Sequence, residues 1–294
     1  MAPEITRAQQ TKHPVLTHFL LTKFNLPISY STRAGQHADD RWMADRWHLF
    51  ETHCLPSVLA QSNPDFTWVI FCWDQTSDTY RRKLDAVAQA NEHVVIAYLA
   101  TSTQGEHLAD VARDRGLVFG PHLLTSRIDN DDAMATDYVN RVQVAARKEL
   151  ARSAPRIPHV WNLPIGYQLS NGRRYVHFEP QGPFVSLLEN STTADNASTV
   201  LSLSHRDIKN TFARTQLWSR PAWLQVVHED NLANHLQGVR SLLRKAPQQF
   251  PALGSQPVDE PVLVVLKDSA TSASRVVHRY TRIVVRRARS KLPV

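Results

Sequence analysis

Apolar runs alternating with amphipathic segments over residues 15–151 constrain this chain more than any other feature. VLTHFLLTKFNL (15–26), FTWVIFCWD (66–74), HVVIAYL (93–99) and HLLTSRI (122–128) are strand-length and mostly apolar. Strands buried on both faces read this way. Between the first two runs, Trp47, Phe50, Leu55, Val58 and Leu59 recur at helical spacing within 40–61, with a break expected near Pro56. Residues 77–91 open with N-cap chemistry, 105–116 end at Gly116, and 134–151 form a fourth helical stretch. Strand and helix in alternation predict an α/β chain with a doubly wound, mostly parallel sheet. Ligands of such sheets bind beyond the carboxyl ends of the strands.

Beyond residue 151 the pattern is mixed. Two strand-like runs flank Asn171-Gly172, a strong hairpin signal, and a further strand is expected over 183–191. A short strand should end at His228. The expected organisation is a polar segment (1–14), a nucleotide-binding α/β half (15–151), a mixed acceptor-side half (152–245) and a C-terminal extension (246–294). In that extension Val276, Val277, Tyr280, Ile283, Val284 and Ala288 recur at spacings of three and four among arginines. They predict a basic amphipathic helix over 274–292 and a peripheral contact with anionic membrane.

The fourth apolar run delivers SRIDNDDAM, with Asp129, Asp131 and Asp132 inside four positions. Like charges this close repel, and burial strengthens the repulsion. A divalent cation relieves it: Mg²⁺ and Mn²⁺ prefer hard oxygen ligands, and Mg²⁺ is often shared with substrate phosphates. In an extended segment Asp129 and Asp131 would share a side. The bland alternative is a solvated acidic loop capping the next helix. An EF-hand is excluded because Met134 and Asn140 stand where its glycine and glutamate belong. There is no phosphate-binding P-loop and no GxGxxG. A nucleotide bound here would be held by carboxylates and a metal.

The net charge of +7 and pI near 9.6 favour an anionic partner. No nucleic-acid-binding signature accompanies them, so none is expected as ligand. Cys54 and Cys72 form neither a disulfide framework nor a metal motif and read as core residues. No apolar run is long enough to span a bilayer, and the first sixteen residues lack a signal-peptide core. A cytoplasmic protein is expected, with peripheral contact at the inner face of the membrane.

HLLTSRIDNDDAM resembles the strand-then-DxD segment of GT-A-fold glycosyltransferases, and IFCWDQTSDTY is similar to their acidic second-strand end. Together with HFLLTKFNL, LFETHCLPSVLAQ and WLQVVHEDN, in order from about 16 to 235, these segments resemble a bacterial family of rhamnosyl transferases. The resemblance implies a GT-A-like fold and transfer from a nucleotide-sugar donor to a glycan or lipid-linked acceptor. It implies that Asp74 binds base or ribose, and that Asp129 and Asp131 are the DxD pair at ribose and at Mn²⁺ or Mg²⁺. Asp132 would support them, His228 would be a late metal ligand, and Arg127 would either neutralise diphosphate or pair with an aspartate. If the anomeric centre inverts, a carboxylate base is needed; Asp207, Glu229 and Asp230 are the candidates. A metal-dependent phosphohydrolase or nucleotidyltransferase, and a non-enzymatic polyanion-binding module, stay open as alternatives.

Overall fold

In a computed structural model of the chain, the described residues are 16–27, 39–100, 119–182, 184–190, 198–201, 212–228, 235–242, 247–253 and 260–289, with positions 108, 111, 112, 114 and 116. Side chains at 252, 279, 280 and 282–289 lie outside that description.

The four apolar runs form β1 (Leu16–Lys23), β2 (Thr67–Trp73), β3 (Val94–Leu99) and β4 (His122–Arg127). They pair in parallel, β1 lying between β2 and β4, and β3 beyond β2. Both faces are buried, as their largely apolar composition requires. Leu20, Trp68 and Ile70 face one core, with Trp47 and Phe50 of the first helix; Phe19, Val69 and Leu123 face the other, with Leu108 and Val111. Described positions 108, 111, 112 and 114 are helical, and Gly116 stands at φ +60°, where the expected helix was to close. Helical residues thus cover both faces, and the sheet is doubly wound as expected.

The first helix, α1 (Asp40–Leu49), is N-capped by Asp39, which accepts from the Trp42 N–H. It continues through a π-helical turn, Phe50–Cys54, into α2 (Leu55–Leu59). The break expected at Pro56 is instead this wide turn just before it. A proline donates no hydrogen bond and crowds the preceding carbonyls, and the extra residue per turn makes room without ending the helix. Helix α3 (Asp78–Ala90) follows β2. The helix expected from 134 begins four residues later, as α4 (Tyr138–Leu150). Ala133–Met134 are instead a two-residue strand, β5, claimed by antiparallel pairing with Trp223 and Leu224.

The second half extends the same sheet. Strands β6 (His159–Asn162), β9 (Val185–Asn190) and β10 (Ala213–Gln216) complete a seven-stranded order β10-β6-β9-β4-β1-β2-β3, in which only β9 is antiparallel to its neighbours. The expected hairpin is β7 (Ile165–Ser170) and β8 (Arg173–Phe178), with Asn171 and Gly172 at φ +48° and +71°. With β11 (Trp223–Val226), β12 (Val239–Arg240) and β5 they form a five-stranded sheet. The last helix, α5, spans Val262–Arg289 and begins twelve residues before the expected 274. The apolar PVLVVL stretch is its first turns rather than a separate patch.

Trp223 joins the two sheets. Its indole is buried, stacks on Phe184 at 5.0 Å and donates to the Leu163 carbonyl at 2.7 Å. It lies flat over Gly166, where an added Cβ would sit 2.1 Å from the ring. Only glycine lets backbone and indole approach so closely. Gly166→Ala should therefore cost about 2–3 kcal/mol by overpacking. Urea unfolding measures it; an unchanged midpoint would mean that the indole shifts freely.

Candidate active site at the end of strand β4

The acidic cluster leaves the carboxyl end of β4 in a tight turn, closed by the Asp132 N–H donating to the Asp129 carbonyl at 3.2 Å. Strand β5 begins at once and is held by β11. The segment is therefore not extended, and Asp129 and Asp131 do not share a surroundings. Asp129 is the exposed member, 43% accessible at its side chain, and pairs with Arg127 at 2.9 Å. Asp131 points inward, where its Oδ2 meets Arg46 Nη1 at 2.8 Å and His228 Nε2 at 3.0 Å. Asp132 is fully buried; its Oδ1 accepts from the Val226 N–H at 2.9 Å, while its Oδ2 has no hydrogen-bond partner.

The three carboxyls are electrostatically unequal. Burial alone would push Asp131 up, but the hydrogen bond to His228 and the Arg46 cation outweigh it and hold the carboxyl below the usual range. Asp132 lacks such help. Burial, then the charges of Asp131 and Asp129, push it well above the carboxylate range.

Arg46, Asn130, His53 and Lys23 join the site without having been singled out in the sequence. Arg46, on α1, bridges Asp131 and Asn130 Oδ1 (3.0 Å) with its guanidinium over the Trp42 ring at 5.0 Å. Asn130 Nδ2 donates to the Phe24 carbonyl beyond β1, tying the turn to the neighbouring strand end. His53 sits on the π-helical turn, its Nδ1 buried and without a hydrogen-bond partner. Burial, then His48, lowers its pKa, and Asp131 opposes the shift. Lys23, last residue of β1, is brought down to about 8 by burial and by Arg127, against the pull of Asp129. The π turn and a strand-terminal lysine were the available signals, but neither identifies its partners 75 or more residues away.

Asp74 directly follows β2 and is exposed. Its N–H bonds the Leu99 carbonyl and its own carbonyl accepts from Arg81. Strand order places it two strands from β4, about 10 Å across the same edge. The N-cap of the helix after it is Ser77, whose side chain forms no capping bond. Asp207, Glu229 and Asp230 lie outside the described residues. Cys54 and Cys72 are buried, and burial pushes both thiols up, as core cysteines require.

Among the described residues no group of three or more His, Cys, Asp or Glu is gathered closely enough to hold a metal ion. The donors at the turn nevertheless fit a hard divalent cation in kind. They are carboxylate oxygens and one imidazole, with the Asp132 Oδ2 unmatched.

A carboxyl raised on folding destabilises the folded state once pH exceeds its unfolded value, and the penalty grows as pH rises through the folded one. Asp132→Asn keeps an acceptor for the Val226 N–H and removes that charge. The substitution should raise the melting temperature of the ligand-free protein at neutral pH and give no gain below about pH 3, where the carboxyl is neutral in both states. A lower melting temperature at neutral pH would show the Asp132 charge to be well compensated.

The fold is similar to several solved structures. Staphylococcus aureus TarS matches at a TM-score of 0.40 and 11% identity, over 72% of this chain and 37% of that one. Its residues 1–349 match at 0.41 and 9%, over 71% and 60%. The "putative nucleotide-diphospho-sugar transferase" of Desulfovibrio desulfuricans G20 matches at 0.37 and 11%, over 88% and 97%. The chain thus spans 37–60% of the TarS chains. No curated protein matches it. A family model described as "Putative rhamnosyl transferase" matches residues 21–240, most of the chain's length. The chain belongs to that family.

Proposed function

We propose that this protein is a metal-dependent glycosyltransferase. It moves a sugar, with a deoxyhexose such as rhamnose as one option, from a nucleotide-sugar donor to a glycan or lipid-linked acceptor. One observation carries the reading. At the ligand-binding edge of a parallel sheet, the chain buries two adjacent carboxyls and leaves one oxygen, Asp132 Oδ2, unmatched. Burial without a partner is costly. A site that must accept a cation has reason to tolerate it.

In this reading Asp129, Asp131, Asp132 and His228 would hold Mn²⁺ or Mg²⁺, with Asp129 turning from Arg127 to close around the ion. A divalent cation there would supply Lewis-acid stabilisation of the departing diphosphate. The chain's own residues do the rest. Asp74, about 10 Å along the edge, takes the base or ribose, a separation suited to a nucleoside. Arg127 and Lys23, at the ends of β4 and β1, offset diphosphate charge, a task for which arginine's planar fork is suited. Arg46 holds the Asp131 carboxylate ionised and oriented. Sugar transfer passes through an oxocarbenium-like transition state, and inversion needs a base on the acceptor hydroxyl. Glu229 and Asp230, directly after His228, and Asp207 are the carboxylates proposed for that role.

Ligand binding to the folded state alone raises stability by about 2.7 kcal/mol at a hundredfold excess over Kd. Mn²⁺ and a nucleoside diphosphate together should therefore raise the melting temperature of the wild-type protein, and Asp131→Ala should abolish the joint shift. An unchanged shift in the variant removes Asp131 from the site. Hydrolysis of phosphoesters with no acceptor-dependent transfer would favour a phosphohydrolase instead.

A further inference from the structure

Helix α5 carries more apolar surface than the fold covers. Its 28 residues span about 42 Å, and it is fastened to the body near its start and along one side. Glu260, just before it, is bonded by Arg173 at 2.8 Å and by Arg240; Asp268 pairs with Arg173; and the Arg240 N–H donates to Ser272 Oγ at 2.9 Å. Val265, Ser272 and Val276 lie on this body side, partly or fully buried. The apolar face expected from the sequence is therefore split: Val276 turns inward, while Val277 is 65% exposed.

An outward stripe runs one third of a turn from the body side. Leu263 is 80% exposed and Leu266 48%, Ala270 is exposed, and Val277 follows seven residues on. The spacing of three and four keeps these residues on one face. The same register continues in the sequence at Tyr280 and Val284. Val262, 57% exposed, widens the stripe at its start. Contiguous exposed apolar surface of this kind marks an interaction site.

Charge chooses the partner. From Val262 to the end of the chain there are two lysines and six arginines against one acid, Asp268, which is already paired with Arg173. Lys267 and His278 are exposed beside the stripe. A second copy of the helix would bring like charges together. A plane of anionic lipid accepts the apolar stripe and neutralises the cations at once. Among the described residues no helix is long and apolar enough to cross a membrane, so contact would be along the surface.

We infer that α5 docks lengthwise on the surface of an anionic lipid bilayer through Leu263, Leu266 and Val277, with its lysines and arginines at the headgroups. The inference does not depend on the sugar-transfer reading, because its measurement is binding and not turnover. The full chain is sedimented with phosphatidylcholine vesicles, with and without phosphatidylglycerol, at low and high salt. Binding should need the anionic lipid and weaken sharply with salt. Leu263→Ser with Leu266→Ser and Val277→Ser, all at exposed positions, should lower partitioning about tenfold or more while leaving the melting temperature unchanged. Arg286→Glu with Arg287→Glu should do the same. Equal binding to neutral vesicles, or none to anionic ones, overturns the inference. So does a triple-serine variant that binds as the wild type does, which would make the helix a purely electrostatic polyanion tail. A concentration-dependent dimer in sedimentation velocity, abolished by the same three serines, would assign the stripe to a second copy and overturn it too.

Discussion

The fold is organised around the burial of two adjacent carboxyls at the end of β4. An unpaired buried charge costs several kcal/mol, so the chain must bring partners to it. It does so from three directions. Arg46 comes from α1, His228 from the residues after β11, and the Val226 N–H from β11 itself. Asn130 adds a fourth tie, to the backbone beyond β1. The acidic turn therefore sets how the first helix, the central strands and the smaller sheet meet. Among the buried polar atoms around the turn, Asp132 Oδ2 and His53 Nδ1 are left without a hydrogen-bond partner.

Behind the turn, the inside of the sheet is not purely apolar. His18 Nε2 lies 2.9 Å from Ser126 Oγ, which is 2.6 Å from Ser186 Oγ; Gln143 reaches His18 Nδ1 at 3.2 Å. This chain crosses β1, β4 and β9 and ends on α4. Burial, with Arg147 nearby, brings the His18 pKa to about 3, so the ring is neutral and acts as a relay of hydrogen bonds rather than as an acid. Satisfied networks of this kind specify a register, because a slip by one residue would orphan every member. The site's strand is thereby held in line with its neighbours, and the turn at its end is placed reproducibly.

The two sheets divide the labour. The large sheet presents Asp74, Lys23, Arg127 and the acidic turn along one edge. The small sheet, locked to it by Trp223 over Gly166, supplies β11 and hence His228 and the backbone donor for Asp132. Neither sheet alone completes the site. The arrangement also explains why β5 is a strand and not the first turn of a helix: two residues of pairing with β11 carry the acidic turn to its partners.

What the sequence determined by itself follows from local physics. Four mostly apolar runs had to be buried parallel strands. Asn171-Gly172 had to be a tight turn, Gly116 a helix end, and three aspartates after a core strand had to lie at the carboxyl end of the sheet. Those features depend on side-chain period and on backbone freedom, which are properties of neighbours in the chain. The tertiary structure decided what depends on distant partners. It turned Asp131 inward to Arg46, 85 residues away, and left Asp129 outside with Arg127. It replaced a proline break with a π turn that carries His53, and gave Ala133–Met134 to β11 instead of a helix. It also rotated α5 so that Val276 packs and Val277 does not. Helical spacing states that residues share a face; only packing against Gly238 and Arg240 decides which face is covered, because burial depends on the other surface as much as on the helix.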